Sequence, residues 1–391
     1  MFATLSDIME YLFGINIPLP IQTLGFFVAL AFVLSFIVFV SEFKRKEKLG
    51  AIHPFLQKVT VGASASWIEL LVNAFIGFII GYKVAYLLLN YQAFSQSPVN
   101  ELFSVKGNIW AGLTGAAAFA LWIYYDRKKQ QLPQPIVTNV LVHPYQLMYK
   151  IVFWVAVWGI LGAKLFYCAE NVTALLADPL KVLFSSNGFT YYGGLTFGAL
   201  SYLYIGYNAG MKLSHLADIG SPGMMLAYAV GRFGCHLSGD GDWGIVNINP
   251  KPGWLSWLPD WAWSFNFPYN VIDMGRYIKG CTGIHCYELI YPVYPTSLYE
   301  AVACVALFGV MWILRGIIKI PGLMFCLYLL LNGTERILIE QIRVNYKYQF
   351  AGLAITQAEI ICCLMLIGGI AGIVYILIQK HKKNKTNTEG I

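Results

Sequence analysis

Charge is what this sequence has least of. Only 12% of its 391 residues are Asp, Glu, Lys or Arg, while 58% are hydrophobic. Soluble domains run near a quarter charged, so an ordinary soluble fold is excluded and an integral membrane protein is expected. No cleavable signal peptide is expected either. The opening "MFATLSDIMEYLFGINIPLP" has neither a basic start nor a small-residue cleavage site, so the first apolar run is expected to act as its own targeting signal. Cysteine is too sparse for a disulfide scaffold, with eight in the whole chain. Cys304, Cys326, Cys362 and Cys363 lie in apolar runs and read as small buried residues. Cys281 and Cys286, in the polar "CTGIHC", make a local disulfide plausible if that segment is extracytoplasmic.

The formal charge of +7 comes from short basic blocks beside apolar runs: 44–48, 126–129, 315–319 and 380–385. That is the positive-inside pattern of orienting, solvated loops, and nucleic acid is not an expected partner.

A bilayer takes about 20 apolar residues per crossing. Nine helices are predicted, at 20–41, 66–90, 109–125, 149–169, 192–209, 221–235, 297–314, 320–338 and 357–379. Placing the basic blocks in the cytoplasm puts the N-terminus outside and the C-terminus inside. Residues 236–293, between helices 6 and 7, then form a small extracytoplasmic head. Its run "KPGWLSWLPDWAWSFNFPYN" suits the headgroup level.

An internal repeat runs with a shift of 81 residues and no gaps. Gly81, Lys83, Tyr86, Asn90 and Pro98 match Gly162, Lys164, Tyr167, Asn171 and Pro179. Leu102-Phe103-Ser104 matches Leu183-Phe184-Ser185, and Gly107 and Gly112 match Gly188 and Gly193. A duplicated helical hairpin follows. The organisation is therefore residues 1–59 (first helix and loop), 60–148 (additional hairpin), 149–379 (membrane core containing the head) and 380–391 (basic tail).

Four segments carry chemistry. "YYGGLTFG" brings Tyr192 beside Gly193 and Gly194, which admit close approach of a backbone or lipid, or of a neighbouring helix. "GRFGCHLSGDGDWG" packs Arg232, Cys235, His236, Asp240, Asp242 and five glycines, Gly244 among them, into fourteen residues at a helix end. An arginine there is a functional-site candidate by default, and a guanidinium is a natural phosphate partner. "YPTSLYEA" can start a helix at Pro295 with Thr296 or Ser297 as cap and Glu300 closing a capping box, leaving Tyr299 to face the bundle or interface. In "NGTERILIEQIRVN", Arg336, Glu340 and Arg343 are spaced to share one helix face. Three arginines at the outer face oppose the positive-inside trend. An anionic ligand would explain them.

Together these segments resemble the prolipoprotein diacylglyceryl transferase family. The family's His-Gly-Gly-Leu resembles Tyr192-Gly193-Gly194-Leu195, and its Gly-Arg-x-Gly-Asn-Phe-x-Asn-x-Glu resembles "GRFGCHLSGD". Its His-Pro-Ser-Gln-Leu-Tyr-Glu resembles "YPTSLYE", and its Tyr-Gly-x-x-Arg-x-x-x-Glu resembles "NGTERILIE". Its Gly-Ala-Arg-Leu resembles "GAKL" at 162–165. The likeness covers about 149–379 and the first helix; the hairpin at 60–130 lies outside it. Tyr192, Cys235, Tyr294 and Asn332 stand where the family has His, Asn, His and Tyr, and either Asp240 or Asp242 answers to its acid.

The resemblance implies an all-α enzyme of the bacterial inner membrane with its site at the outer face. It would transfer a diacylglyceryl group from phosphatidylglycerol to the lipobox cysteine thiol of a preprolipoprotein, releasing glycerol 1-phosphate. Its partners are that lipid, that precursor and the surrounding lipids, with no cofactor. Arg232 and Arg336 would hold the phosphate. A thiol of pKa about 8.5 must lose its proton, and His236, oriented by Asp240 or Asp242, is the expected base; a tyrosine at 192, ionising near pH 10, is a poor one. Glu340, Arg343, Tyr299, Cys235, Gly193, Gly194 and Gly244 complete the candidate site. The alternatives are a phospholipid- or precursor-binding protein that has lost catalysis, a transporter, and a metal-dependent transferase using the two aspartates. The duplicated hairpins cover only part of the chain, which argues against the transporter.

Overall fold

Nine long helices carry the chain in the computed structural model, which describes residues 1–15, 21–96, 101–102, 104–183, 188–345, 348–350 and 353–389. They are α1 (Thr23–Lys48), α2 (Trp67–Leu89), α3 (Ile109–Lys129), α4 (Met148–Glu170), α5 (Tyr191–Asn208), α6 (Leu213–Ser238), α7 (Thr296–Leu314), α8 (Leu323–Glu340) and α9 (Gln357–Glu389). Among the described residues five stretches are long and apolar enough to cross a membrane: Thr23–Lys48, Trp67–Leu89, Pro144–Glu170, Thr296–Leu314 and Gln357–Lys382. The chain is thus a mostly helical membrane protein. Helices α6 and α8 dilute their apolar runs with Asp218, Arg232, Glu335, Arg336 and Glu340.

Two compact units form. One comprises Met1–Ile17, Ile21–Ile52 and Gly206–Ile391; the other comprises Pro18–Pro20 and His53–Ile205.

In the first unit α6 packs against α1, α7 and α8, and α8 against α9. Met225, Ala229, Cys304, Met311, Met324 and Tyr328 form the core between them. The sequence starts α6 at 221, where Ser221-Pro222 imitates a helix N-terminus; the helix begins at Leu213 and Pro222 lies inside it. The preceding "LSHLADIG" reads as loop because it is polar, but its polar group is satisfied in the bundle. Asp218, 2% exposed, accepts from the Gly322 and Phe325 backbone N–H groups at 3.0 and 3.1 Å, and pairs with Lys46 at 3.3 Å. It caps the start of α8 from another helix, where a carboxylate is favoured by four orphan N–H groups. The basic block 44–48 is likewise no solvated loop. It ends α1, Lys46 is 5% exposed, and Glu42 holds both Arg45 (2.8 Å) and Arg315 (2.7 Å).

The segment between α6 and α7 builds its own small core from Trp243, Phe267, Leu289 and Val293. Cys281 and Cys286 are disulfide-bonded, so the paired reading of "CTGIHC" holds. His285 Nδ1 lies 3.1 Å from Asp273, so its partner is a carboxylate. Trp254 and Trp257 are exposed.

In the second unit α2 and α3 pack on one another. A Cβ at Gly81 would strike the Ala111 carbonyl, and one at Gly115 the Gly77 carbonyl. One repeat later, a Cβ at Gly162 would lie 2.6 Å from the Gly193 oxygen. Asn90 and Asn171 end α2 and α4 in the same way. Each donates its side-chain amide to the carbonyl four residues back, Tyr86 or Tyr167, at 3.0 Å. The repeated pairs involving Pro98, Phe103 and Phe184-Ser185 lie outside the described residues. An antiparallel ribbon flanks the α2–α3 hairpin and is not predicted from the sequence: β1 (Phe55–Val61) pairs with β2 (Ile136–Val142) along its whole length.

Candidate functional site

The charged residues of the last three segments meet at the end of α6 that leads into the head. Glu300, 0% exposed in the first turns of α7, sits at the centre. Arg232 of α6 reaches it through Nε at 2.6 Å, Arg343 through a second nitrogen at 3.1 Å, and Arg336 of α8 is also paired with it. Asp242, on the turn after α6, takes Arg232 on one oxygen and Arg343 on the other. Arg336 continues to Glu340 at 3.1 Å, and Asn345 donates to Glu340 at 2.6 Å. The Arg232 guanidinium lies 4.9 Å over the Tyr228 ring. Three guanidiniums and three carboxylates therefore balance. Burying any one alone would cost several kcal/mol, roughly; the network offsets it.

Backbone pairing places these side chains. The helix start does not follow the capping chemistry read from the sequence. Pro295 is the N-cap, without a side-chain cap bond. Thr296 instead donates its hydroxyl to the Asp242 carbonyl at 3.1 Å, and Glu300 is spent on the arginines. Arg343 is likewise not on the face shared by Arg336 and Glu340, because α8 ends at Glu340. It comes back through a bridge with Gly244, where the Ile245 N–H donates to the Ile342 carbonyl at 2.8 Å. Gly244 must be glycine: a Cβ would lie 2.5 Å from the Ile342 oxygen and 2.8 Å from the Thr296 methyl.

Of the two aspartates, Asp242 holds the arginines. Asp240 accepts the Asp242 backbone N–H at 3.3 Å and borders Cys235. Burial, then the neighbouring Asp242 charge, push the Asp240 carboxyl above its usual range. Ligating atoms of Cys235, Asp240 and Asp242 come within 4.8 Å of one another. With both Asp242 oxygens held by guanidiniums, that grouping fits an ion-pair hub rather than a cation site.

His236 is not oriented by either aspartate, contrary to expectation. It is buried, its Nδ1 is 3.5 Å from the Ser297 hydroxyl, and the rings of Trp261, Phe265 and Phe267 stand 5.6–6.4 Å away. Tyr299 donates to the Ala262 carbonyl at 2.8 Å, tying α7 to the head. Tyr192 and Gly193-Gly194 open α5 in the other unit, where Gly193 backs onto Gly162. The sequence reading misses two participants. Tyr228 carries no motif, and Glu300 is masked by its fit to a cap, although a glutamate beside an apolar run is itself a signal.

A protein of Thermus thermophilus named phosphatidylglycerol–prolipoprotein diacylglyceryl transferase is 28% identical over 229 residues, covering 56% of this chain and 78% of that protein. Proteins of the same name from Ectopseudomonas mendocina and Enterococcus faecalis are each 27% identical, over 235 residues (58% and 75% of the two chains) and 243 residues (60% and 77%). The family match itself starts at residue 110, inside the first hairpin rather than at 149, and runs to 375, so it takes in every arginine and carboxylate of the cluster. It spans well over half of the 391 residues, and the chain belongs to the prolipoprotein diacylglyceryl transferase family.

Proposed function

We propose that this protein transfers the diacylglyceryl group of phosphatidylglycerol to the lipobox cysteine of preprolipoproteins, the opening step of bacterial lipoprotein maturation. The observation that carries this reading is the convergence of Arg232, Arg336 and Arg343 on two shared carboxylates within the matched region. The cluster is neutral as folded, so an anion must replace a carboxylate. Asp242 is the replaceable one, since its side chain is 28% exposed and that of Glu300 is not exposed at all. The lipid phosphodiester takes over the guanidinium edges of Arg232 and Arg343, while Glu300 keeps all three arginines aimed. The cysteine sulfur then attacks the glycerol carbon that bears the phosphate. The carbon–oxygen bond breaks, and glycerol 1-phosphate leaves with its growing charge held by preorganised donors. Removing one such donor costs about a hundred- to a thousand-fold in rate.

The finer topology belongs to the same proposal. Nine crossings put the N-terminus outside, the C-terminus in the bacterial cytoplasm, and the Trp254–Trp257 segment at the outer headgroups, where tryptophan is favoured. Residues 60–148 are an additional hairpin on a core spanning 149–379. The test is expression in cells depleted of their own transferase, with mass spectrometry of a reporter lipoprotein. A diacylglyceryl-modified cysteine is expected, and its loss in Arg232→Ala. Correct insertion without modification would favour the second reading, a protein that binds phosphatidylglycerol without turnover, which the tyrosines at 192 and 294 support.

A further inference from the structure

The proposed reaction needs a group to take the thiol proton, and most acid–base groups around the arginines are engaged. Both Asp242 oxygens meet guanidiniums, Glu300 is shared by three arginines, and Glu340 holds Arg336 and Asn345. His236 meets Ser297 inside an aromatic wall. Glu335 differs. It is 6% exposed, no ion pair involves it among the described residues, and the one side chain that meets it as a donor is the weakly donating Cys304 thiol. A buried carboxyl with so little compensation calls for an explanation, and a catalytic role is one. It lies on α8 next to Arg336, about 7.5 Å along the helix from Glu340. The ionisable groups close enough to act on it electrostatically are Glu300 and Cys304 from α7, Arg232 and Tyr228 from α6, Cys362 from α9, and Arg336 on its own helix.

Resting on the transferase reading, we infer that Glu335 is the general base of this protein. The acceptor S–H bond breaks as its proton passes to a Glu335 oxygen. The sulfur electron pair forms the bond to the glycerol carbon, and the carbon–oxygen pair leaves with the phosphate. Glu335 then returns the proton to the departing phosphate monoester, which restores the carboxylate. Arg232 and Arg343 hold the phosphate while the proton moves.

The test uses the full chain in phosphatidylglycerol vesicles with two lipobox peptides, one carrying cysteine and one selenocysteine. A selenol is ionised at neutral pH and needs no base. Glu335→Gln keeps the side chain's shape. It is expected to slow transfer to the thiol by about a hundred-fold or more, the usual worth of a general base, and to leave transfer to the selenol within about threefold of the unsubstituted protein. Thiol transfer by the variant should also rise with pH, about tenfold per unit up to the thiol's own pKa near 8.5. Equal slowing of both peptides would mean a structural role, and unchanged thiol transfer would mean no role; either overturns the assignment. If the unsubstituted protein modifies neither peptide, the transferase reading itself falls, and this inference with it.

Discussion

At the scale of single residues, Glu300 sets the geometry of the cluster. It is fully buried and is the one carboxylate that all three arginines share. Glu300→Gln leaves three buried guanidiniums with Asp242 and Glu340 alone. Breaking a buried pair from one side costs about 3–5 kcal/mol, so a loss of that size in detergent unfolding is expected, with transfer abolished. Asp240 makes the opposite case. Its folded carboxyl is shifted upward, so the protonated form is the one favoured by folding. Its contribution is therefore intact below the ordinary aspartate range and is lost as pH rises through the elevated folded value. Asp240→Asn should raise the melting temperature at pH 7 relative to the unsubstituted protein and leave it nearly unchanged at pH 4. Equal shifts at both values would show that charge is not the cause.

At the scale of elements, apolar runs make the nine long helices of the described residues legible, and five of them are apolar enough to cross a membrane, where a helix satisfies its own backbone. What the sequence hides are places where tertiary partners override local signals. Ser221-Pro222 and the polar residues before it read as a boundary, yet Asp218 finds its donors on α8 and the helix continues. Helical periodicity carries Arg343 onto the face of Arg336, but cannot register that α8 stops three residues earlier. The ribbon between β1 and β2 joins segments more than seventy residues apart, and its mostly exposed strands leave no alternating pattern of burial. The double glycine is legible as close approach, and the structure divides it. A Cβ at Gly193 would strike the Gly162 carbonyl, whereas one at Gly194 would stop 3.3 Å from the Gly159 oxygen. Gly193→Ala should therefore destabilise by about 1–3 kcal/mol, the usual cost of overpacking, and Gly194→Ala by distinctly less. Thermal unfolding of the two variants side by side checks this, and an equal loss would put the constraint elsewhere.

At the scale of the whole molecule, the duplicated hairpin poses the open question. The family's glycine segment resembles the second copy, at Tyr192–Leu195, but the family match begins at residue 110, within the first. The ribbon supplies a way to separate the copies. Val61 and Ile136 are direct partners across it, so residues 62–135 leave and re-enter the fold at neighbouring backbone positions. A two-residue Asn-Gly turn is the natural closure of two antiparallel strands with right-handed twist. Joining Val61 to Ile136 through such a turn removes α2 and α3 together, an even number of helices, so the orientation of every later segment is kept. If the first hairpin is an appendage on a complete core, the shortened protein inserts, unfolds cooperatively in detergent, and transfers diacylglyceryl to a lipobox peptide within a few-fold of the full chain. If it inserts and unfolds cooperatively but no longer transfers, the first hairpin belongs to the catalytic core. The early start of the family match would then mark a functional boundary, and the duplication would have divided one role between two copies.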